Sequence, residues 1–557
     1  MSPLLSVSDL TVAFRVGGER TEVVRGLDFT LERGRTLGLV GESGSGKSMT
    51  SLAIMGLLPP GAEISGGITF DGIELIGCSE HRLQKLRGER MAMIFQDPLS
   101  SLNPYYTVGL QIEETYRAHR GGSRRAARRV AIDAMKRVHI RDAESRVDQY
   151  PHQFSGGMRQ RIMIAMALCL EPDLIIADEP TTALDVTVQA RILDLLGEVQ
   201  RATDAAMLFI SHDLAVVSQV ADDVVVLRHG DTMEAGPTEQ IFCTPASSYT
   251  QELLDAIPRI SDPLEARDRP AGPDKQPADA PEHVPLLDVR GLSKVYGSRT
   301  HPFTAVDDVS FEIGERETLA VVGESGSGKS TTARMVAKLI EPTTGTISFA
   351  GHDVTHADAE TLAAFRKDVQ VVFQDPFSSL NPRHTVGRII TAPGRYQGVD
   401  ASAGRRWAQE LMERVGLDPD HIDRYPWQFS GGQAQRIGIA RALAVRPRLV
   451  ICDEAVSALD VSVQARILEL LADLQDDFGL SYLFIAHDLA VVRRLADRVA
   501  VMNQGRIVEC GSRDEVFESP RDDYTRTLLA AVPTIPAEWD ARRLLHTAPV
   551  PVASDHG

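Results

Sequence analysis

Cysteine is scarce. The 557 residues contain five, Cys78, Cys169, Cys243, Cys452 and Cys510, and no two lie close together. Zinc and disulfide frameworks need closely spaced or paired thiols, so neither organises this chain. Cys452 stands in an apolar run and reads as a small buried residue. No stretch reaches 18 uninterrupted apolar residues, so no segment reads as a membrane span. The opening "MSPLLSVSDL" lacks the basic start and apolar core of a secretory signal, and a cytosolic location is expected. Positive charge is in deficit. A net charge of −18 argues against the broad basic surface that nucleic acid requires. The densest basic run, "RRAARR" from Arg124 to Arg129, reads as a solvated helix face.

What the chain does contain, it contains twice. "GESGSGKS" occurs at Gly41–Ser48 and at Gly323–Ser330. "FQDPLSSLNP" from Phe95 is answered by "FQDPFSSLNP" from Phe373, and "YPHQFSGGMRQR" from Tyr150 by "YPWQFSGGQAQR" from Tyr425. "HDLAVV" appears at His212 and at His487. The glycine loops are 282 residues apart (323 − 41), and the histidines 275 (487 − 212). Two whole domains therefore repeat in the same order. The expected boundaries are 1–258 and 285–535, with a Pro-, Asp- and Ala-rich flexible linker over 259–284 and a loose tail over 536–557.

Within each half, strand-like and helix-like runs alternate. Thr36–Val40 enters the first glycine loop, and Leu174–Asp178 and Met207–Ser211 read as buried strands. Between the last two, Val188, Ile192, Leu195 and Val199 share one helical face. This alternation predicts an α/β fold with a parallel sheet.

"GESGSGKS" fits the phosphate-loop pattern G-x-x-x-x-G-K-[ST] in both copies. Its glycines let backbone N–H groups turn onto phosphates, and the following helix start adds positive potential. Lys47 and Lys329 are candidates for the β- and γ-phosphates, and Ser48 and Ser330 for Mg²⁺. "LIIADE" ends in Asp178–Glu179 and "LVICDE" in Asp453–Glu454. An acid at a strand end suits the Mg²⁺ shell, and the adjacent glutamate suits polarising a water.

Phosphate loop, glutamine, "SGG", "DE", "ALD" and strand-end histidine follow in the order found in ATP-binding-cassette (ABC) ATPases, twice over nearly the whole chain. The chain resembles two such nucleotide-binding domains fused in tandem. "FQDPLSSLNPYYTV" and "ALDVTVQARILDLL" resemble the oligopeptide/dipeptide/nickel importer group. The resemblance implies two P-loop NTPase domains, each a RecA-like core with an inserted helical subdomain. It also assigns roles. Gly41, Ser43, Gly44, Gly46 and Lys47, with Gly323, Ser325, Gly326, Gly328 and Lys329, would cradle ATP. Gln96 and Gln374 would join Ser48, Asp178, Ser330 and Asp453 around Mg²⁺ and the attacking water. Glu179 and Glu454 would be catalytic, with His212 and His487 as switch histidines. Phe14 and Tyr296 each lie 27 residues before their loop (41 − 14 and 323 − 296) and resemble the aromatic that stacks on adenine, although a core role suits either as well.

The same resemblance implies a head-to-tail pairing of the two domains. Ser155, Gly156 and Gly157 would then serve the ATP held by Lys329, and Ser430, Gly431, Gly432 and Gln433 the ATP held by Lys47. Two departures stand out: Met158 where the second copy has Gln433, and Ala455 where the first has Pro180. Both copies keep lysine, glutamate and histidine, so both are expected to hydrolyse ATP. No cysteine follows Cys243 or Cys510 within its domain, so no iron–sulfur cluster is expected. The reading that follows is the ATPase of a di- or oligopeptide importer, peripheral on the cytoplasmic face of the membrane. It would work with two permease subunits and an extracellular solute-binding protein, and without nucleic acid. Nickel, glutathione and haem remain open as substrates. A tandem ATPase acting on ribosomes and an exporter ATPase are the alternatives.

Overall fold

The computed structural model describes residues 3–97, 101–182, 184–257, 284–298, 301–395, 401–457 and 459–547. The expected linker falls outside them except for Val284. The chain divides into two units. Met1–Leu184, Val188–Ile257 and Pro533–Gly557 form the first, and Asp185–Thr187 with Pro258–Val532 the second.

In the first unit a six-stranded sheet runs in the order Asp231–Pro237, Asp223–Arg228, Thr36–Gly41, Ala206–Ser211, Leu174–Asp178, Met91–Ile94. All neighbours are parallel except the outermost pair, Asp231–Pro237 with Asp223–Arg228. Thr36–Gly41, Leu174–Asp178 and Ala206–Ser211 are buried throughout. That explains their unbroken apolar sequence: a parallel strand covered on both faces has no polar side to show. The predicted helical face also forms, within Val186–Thr203, where Ile192 and Leu195 are buried. A four-stranded antiparallel sheet, Glu19–Leu31, Leu5–Val16, Glu63–Phe70 and Ile73–Glu74, lies beside it in sequence and shares one apolar core with it.

Between Met91–Ile94 and Leu174–Asp178 the chain makes a helical insertion, chiefly Val108–Arg120, Arg124–Arg137 and Gly156–Leu168. Arg124–Arg137 carries the basic run on its outside, where Arg128 pairs with exposed Asp148 at 2.6 Å.

The second unit repeats this plan. Its six-stranded sheet has the order Val369–Val372, Leu449–Asp453, Ser481–Ile485, Thr318–Val322, Arg498–Asn503, Arg506–Ser512. Its helical insertion includes Val386–Arg395, Ala401–Arg414 and Gly431–Leu443.

Of the expected tail over 536–557, residues 548–557 lie outside the described residues, and the part before them is not loose. Ala537–Thr547 is a helix, and it packs within the first unit. Trp539 lies 5.8 Å from Phe242, centroid to centroid. Arg543 is only 2% exposed and donates from Nη1 to Asp255 at 2.7 Å. A tryptophan and a buried, paired arginine give this segment enough to fix it.

Candidate functional site

Each site forms where the parallel strands end. The Thr36–Gly41 strand runs into the glycine loop, which closes on the helix Lys47–Ile54. Gly46 has φ +101°, and a Cβ there would lie 2.6 Å from the Val23 carbonyl oxygen, so the position accepts only glycine. Gly328 repeats this with φ +104° and the Ala305 carbonyl. Lys47 is buried at the helix start, and its ammonium donates to the Gly41 and Glu42 carbonyls at 2.6 and 2.9 Å. Lys329 donates to the Gly323 and Glu324 carbonyls, both at 2.8 Å. Burial holds the Lys329 ammonium below the usual lysine range, against the pull of nearby carboxylates.

The next two strands bring in the acids. In the first unit Ser48 donates to Asp178 Oδ1 at 3.2 Å; the Ser51 hydroxyl, one turn on, donates to the Ser48 carbonyl at 2.8 Å and lies 3.4 Å from Oδ2. Burial pushes the Asp178 carboxyl up. In the second unit Ala333 stands where the first has Ser51. Asp453 is likewise pushed up by burial, with Ser330 opposing through a hydrogen bond. Its Oδ1 is buried and has no partner. A serine hydroxyl beside a buried carboxylate oxygen in want of a partner is an oxygen donor set of the kind magnesium takes. Among the described residues no cluster of three or more His, Cys, Asp or Glu forms a cation cage, so any cation here would need oxygens from its ligand as well.

Glu179 and Glu454 adopt φ +48° and +51°, a left-handed backbone that non-glycine residues take only under constraint. The turn aims each carboxylate at its glutamine and histidine. Gln96 Nε2 donates to Glu179 Oε2 at 2.8 Å, and His212 Nδ1 lies 3.4 Å from Oε1. Burial disfavours the charge of Glu179. The His212 ring, the Thr182 hydroxyl and Lys47 outweigh burial and hold the carboxyl below the usual glutamate range. Gln374 Nε2 donates to Glu454 Oε2 at 2.8 Å, with His487 Nδ1 3.7 Å from the same oxygen. Contact with His487 dominates there and lowers the Glu454 carboxyl. For His487, burial opposes the charge, but Glu454 prevails and raises the ring.

The structure thus brings lysine, serine, aspartate, glutamate, glutamine and histidine together in each unit. The serine–glycine pairs each start a helix of the insertion. Ser155 and Ser430 cap the helices Gly156–Leu168 and Gly431–Leu443, accepting from the Met158 and Gln433 amides. A Cβ on Gly156 or Gly431 would meet nothing within 4 Å, so these starts are open. One on Gly157 would lie 2.6 Å from Val188 Cγ1, so that glycine lets two helices approach. Phe14 is half-buried against the first unit's core, whereas Tyr296 is exposed with Lys294 Nζ 5.3 Å from its ring centre.

Sequence reasoning missed Ser51, Thr182 and Gln160. Thr182 donates to Glu179 Oε2 at 2.9 Å, and Gln160 to the Pro180 carbonyl at 2.7 Å. The available signal was their fixed spacing from Ser48, Glu179 and Ser155.

Residues 24–182 and 306–457 match the family described as "ABC transporter". Residues 233–283 and 508–557 match the "Oligopeptide/dipeptide transporter, C-terminal region". The glutathione import ATP-binding protein GsiA of Salmonella paratyphi A is 47% identical over 98% of this chain and 92% of its own length. That of Pectobacterium atrosepticum is 46% identical over 95% and 89%. A solved dimeric ATP-binding cassette bound to ADP and Pi is 27% identical over 41% of this chain and 99% of its own, with a TM-score of 0.38. The chain therefore belongs to the ABC transporter ATP-binding proteins of the oligopeptide/dipeptide importer family, with two ATPase cassettes in one polypeptide.

Proposed function

We propose that this importer ATPase hydrolyses MgATP at both phosphate loops to drive uptake of a short peptide. The observation that carries the reading is the repeated convergence of Gln96, Glu179 and His212 in one unit and Gln374, Glu454 and His487 in the other, each beside a buried lysine. Relatives named for glutathione import support the peptide class, since glutathione is a tripeptide. The same names favour import over an exporter or ribosomal role.

In this mechanism the glycine-loop amides and Lys47 or Lys329 bind the β- and γ-phosphates. Glu179 or Glu454 accepts a proton from a water as its oxygen bonds to the γ-phosphorus. The bond from that phosphorus to the bridging oxygen breaks, and ADP leaves with the electron pair. His212 or His487 donates to a γ-phosphate oxygen. Ser48, Gln96 and Asp178, or Ser330, Gln374 and Asp453, would hold magnesium, which would supply charge neutralisation for the phosphates.

The finer assignments belong to the same proposal. Phe14 and Tyr296 stack on adenine. The open starts at Ser155–Gly157 and Ser430–Gln433 each serve the nucleotide held by the other cassette, in a head-to-tail pairing. Among the described residues no helix is long and apolar enough to cross a membrane. Two permease subunits would therefore hold the chain at the cytoplasmic face, and an extracellular binding protein would deliver the solute.

The test is Glu179→Gln and Glu454→Gln, separately and together. Each alone is expected to lower ATPase turnover, and the pair to abolish it. If one substitution leaves activity unchanged while the other abolishes it, two active sites are excluded.

A further inference from the structure

The two catalytic glutamates are held differently. Glu179 Oε2 receives two donors, the Gln96 amide at 2.8 Å and the Thr182 hydroxyl at 2.9 Å, while Oε1 faces His212 at 3.4 Å. One carboxylate oxygen is thus tied down and the other presented. In the second cassette Ser457 occupies the position of Thr182. Its hydroxyl turns to the Glu454 backbone carbonyl at 3.0 Å. Glu454 Oε2 then meets both Gln374, at 2.8 Å, and His487, at 3.7 Å.

The following residue is held differently too. Gln160, 2% exposed, donates to the Pro180 carbonyl at 2.7 Å. Its counterpart Gln435 donates instead to the Phe373 carbonyl at 3.4 Å, one residue before Gln374. The first cassette therefore fixes the loop that bears its glutamate, and the second fixes the loop that bears its glutamine.

Side-chain chemistry explains the split. Threonine's β-branch restricts χ1, so a threonine hydroxyl aimed at the carboxylate stays there. Serine has more freedom and takes the nearby backbone acceptor. Gln96 is also claimed by magnesium and water in the reading above. Thr182 has no competing task and keeps hold of the carboxylate if Gln96 turns away.

We infer that Thr182 is a positioning residue for Glu179, so that the Lys47 site carries a pre-positioned base and the Lys329 site does not. The inference rests on Glu179 being the base. Its test uses the full chain with Glu454→Gln to silence the second site. Adding Glu179→Gln must abolish the remaining turnover; if turnover survives, the assignment of the base falls. With that secured, Thr182→Val is expected to lower kcat about tenfold. KM for ATP, and equilibrium binding of a non-hydrolysable ATP analogue, should stay within about twofold. Thr182→Ser should fall between the two. In the converse background, Glu179→Gln, the substitution Ser457→Thr should raise kcat about two- to threefold. Full kcat in Thr182→Val, equal losses of kcat and analogue affinity, or no gain from Ser457→Thr would each overturn the inference.

Discussion

The first cassette satisfies its acids from within, and the second leaves them partly open. Asp178 has the Ser48 hydroxyl on Oδ1 and, 3.4 Å from Oδ2, the Ser51 hydroxyl, which it shares with the Ser48 carbonyl. Asp453 has Ser330 and, where the second hydroxyl would stand, Ala333, leaving Oδ1 buried and without a partner. Glu179 is tied by Gln96 and Thr182, Glu454 by Gln374 without the matching hydroxyl. At the serine–glycine helix the order is reversed, since Ser430 has a full capping box and Ser155 does not. Identical motif letters therefore give two chemically different sites. The differences lie one helical turn, or three residues, away from the letters that define the motif.

The largest expected effect concerns an element that, among the described residues, only the first unit holds. Arg543 is 2% exposed and bonds Asp255, whose own side chain is 65% exposed. Arg543→Ala should destabilise the first unit by about 2 kcal/mol, counting lost packing and a discounted half-solvated pair. Hydrogen exchange should show faster opening of Thr238–Cys243 and Ser248–Ala256 while the Leu449–Asp453 strand of the second unit keeps its protection. Equal loosening of that strand would mean the helix is not specific to the first unit.

A smaller effect is expected at the buried aspartates. Ser51→Ala should cost the first unit up to about 1 kcal/mol in metal-free denaturation, because it removes the shared, longer donor from Asp178 Oδ2. Ala333→Ser should give the second unit a gain of up to about 1 kcal/mol by supplying the missing donor. If both changes are neutral in urea melts, the difference between Asp178 and Asp453 has no energetic content.

These residues also mark where sequence reading stopped. The strands Leu174–Asp178 and Ala206–Ser211 were legible because burial on both faces forces a continuous apolar run. The meeting of Ser48 with Asp178 and of Gln96 with Glu179 was legible because the resemblance carries the roles residue by residue. Ser51 and Ala333 were visible as different letters, but their meaning needs to know which face of the Lys47–Ile54 helix looks toward the neighbouring strand. The left-handed backbone of Glu179 leaves no trace in composition, because glutamate is not a residue that advertises positive φ. The helix Ala537–Thr547 was hidden because Trp539 and Arg543 find their partners about 290 residues earlier in the chain.

The smallest effect tests a place where the second cassette is the better built. Ser430 N–H donates to Gln433 Oε1 at 3.0 Å while the Gln433 amide donates back to the serine hydroxyl at 3.4 Å. In the first cassette Met158 has no oxygen to accept from Ser155; its sulfur instead takes a contact from Arg146 Nη1 at 3.7 Å. Gln433→Met removes one reciprocal bond at an exposed helix start and should cost about 0.5–1 kcal/mol. Met158→Gln can add that bond but gives up the Arg146 contact, so its gain should be smaller, a few tenths of a kcal/mol. Paired thermal melts of the two variants should therefore show unequal shifts of opposite sign. A Met158→Gln gain as large as the Gln433→Met loss would mean that the Arg146 contact contributes nothing and that the two helix starts differ by the capping box alone.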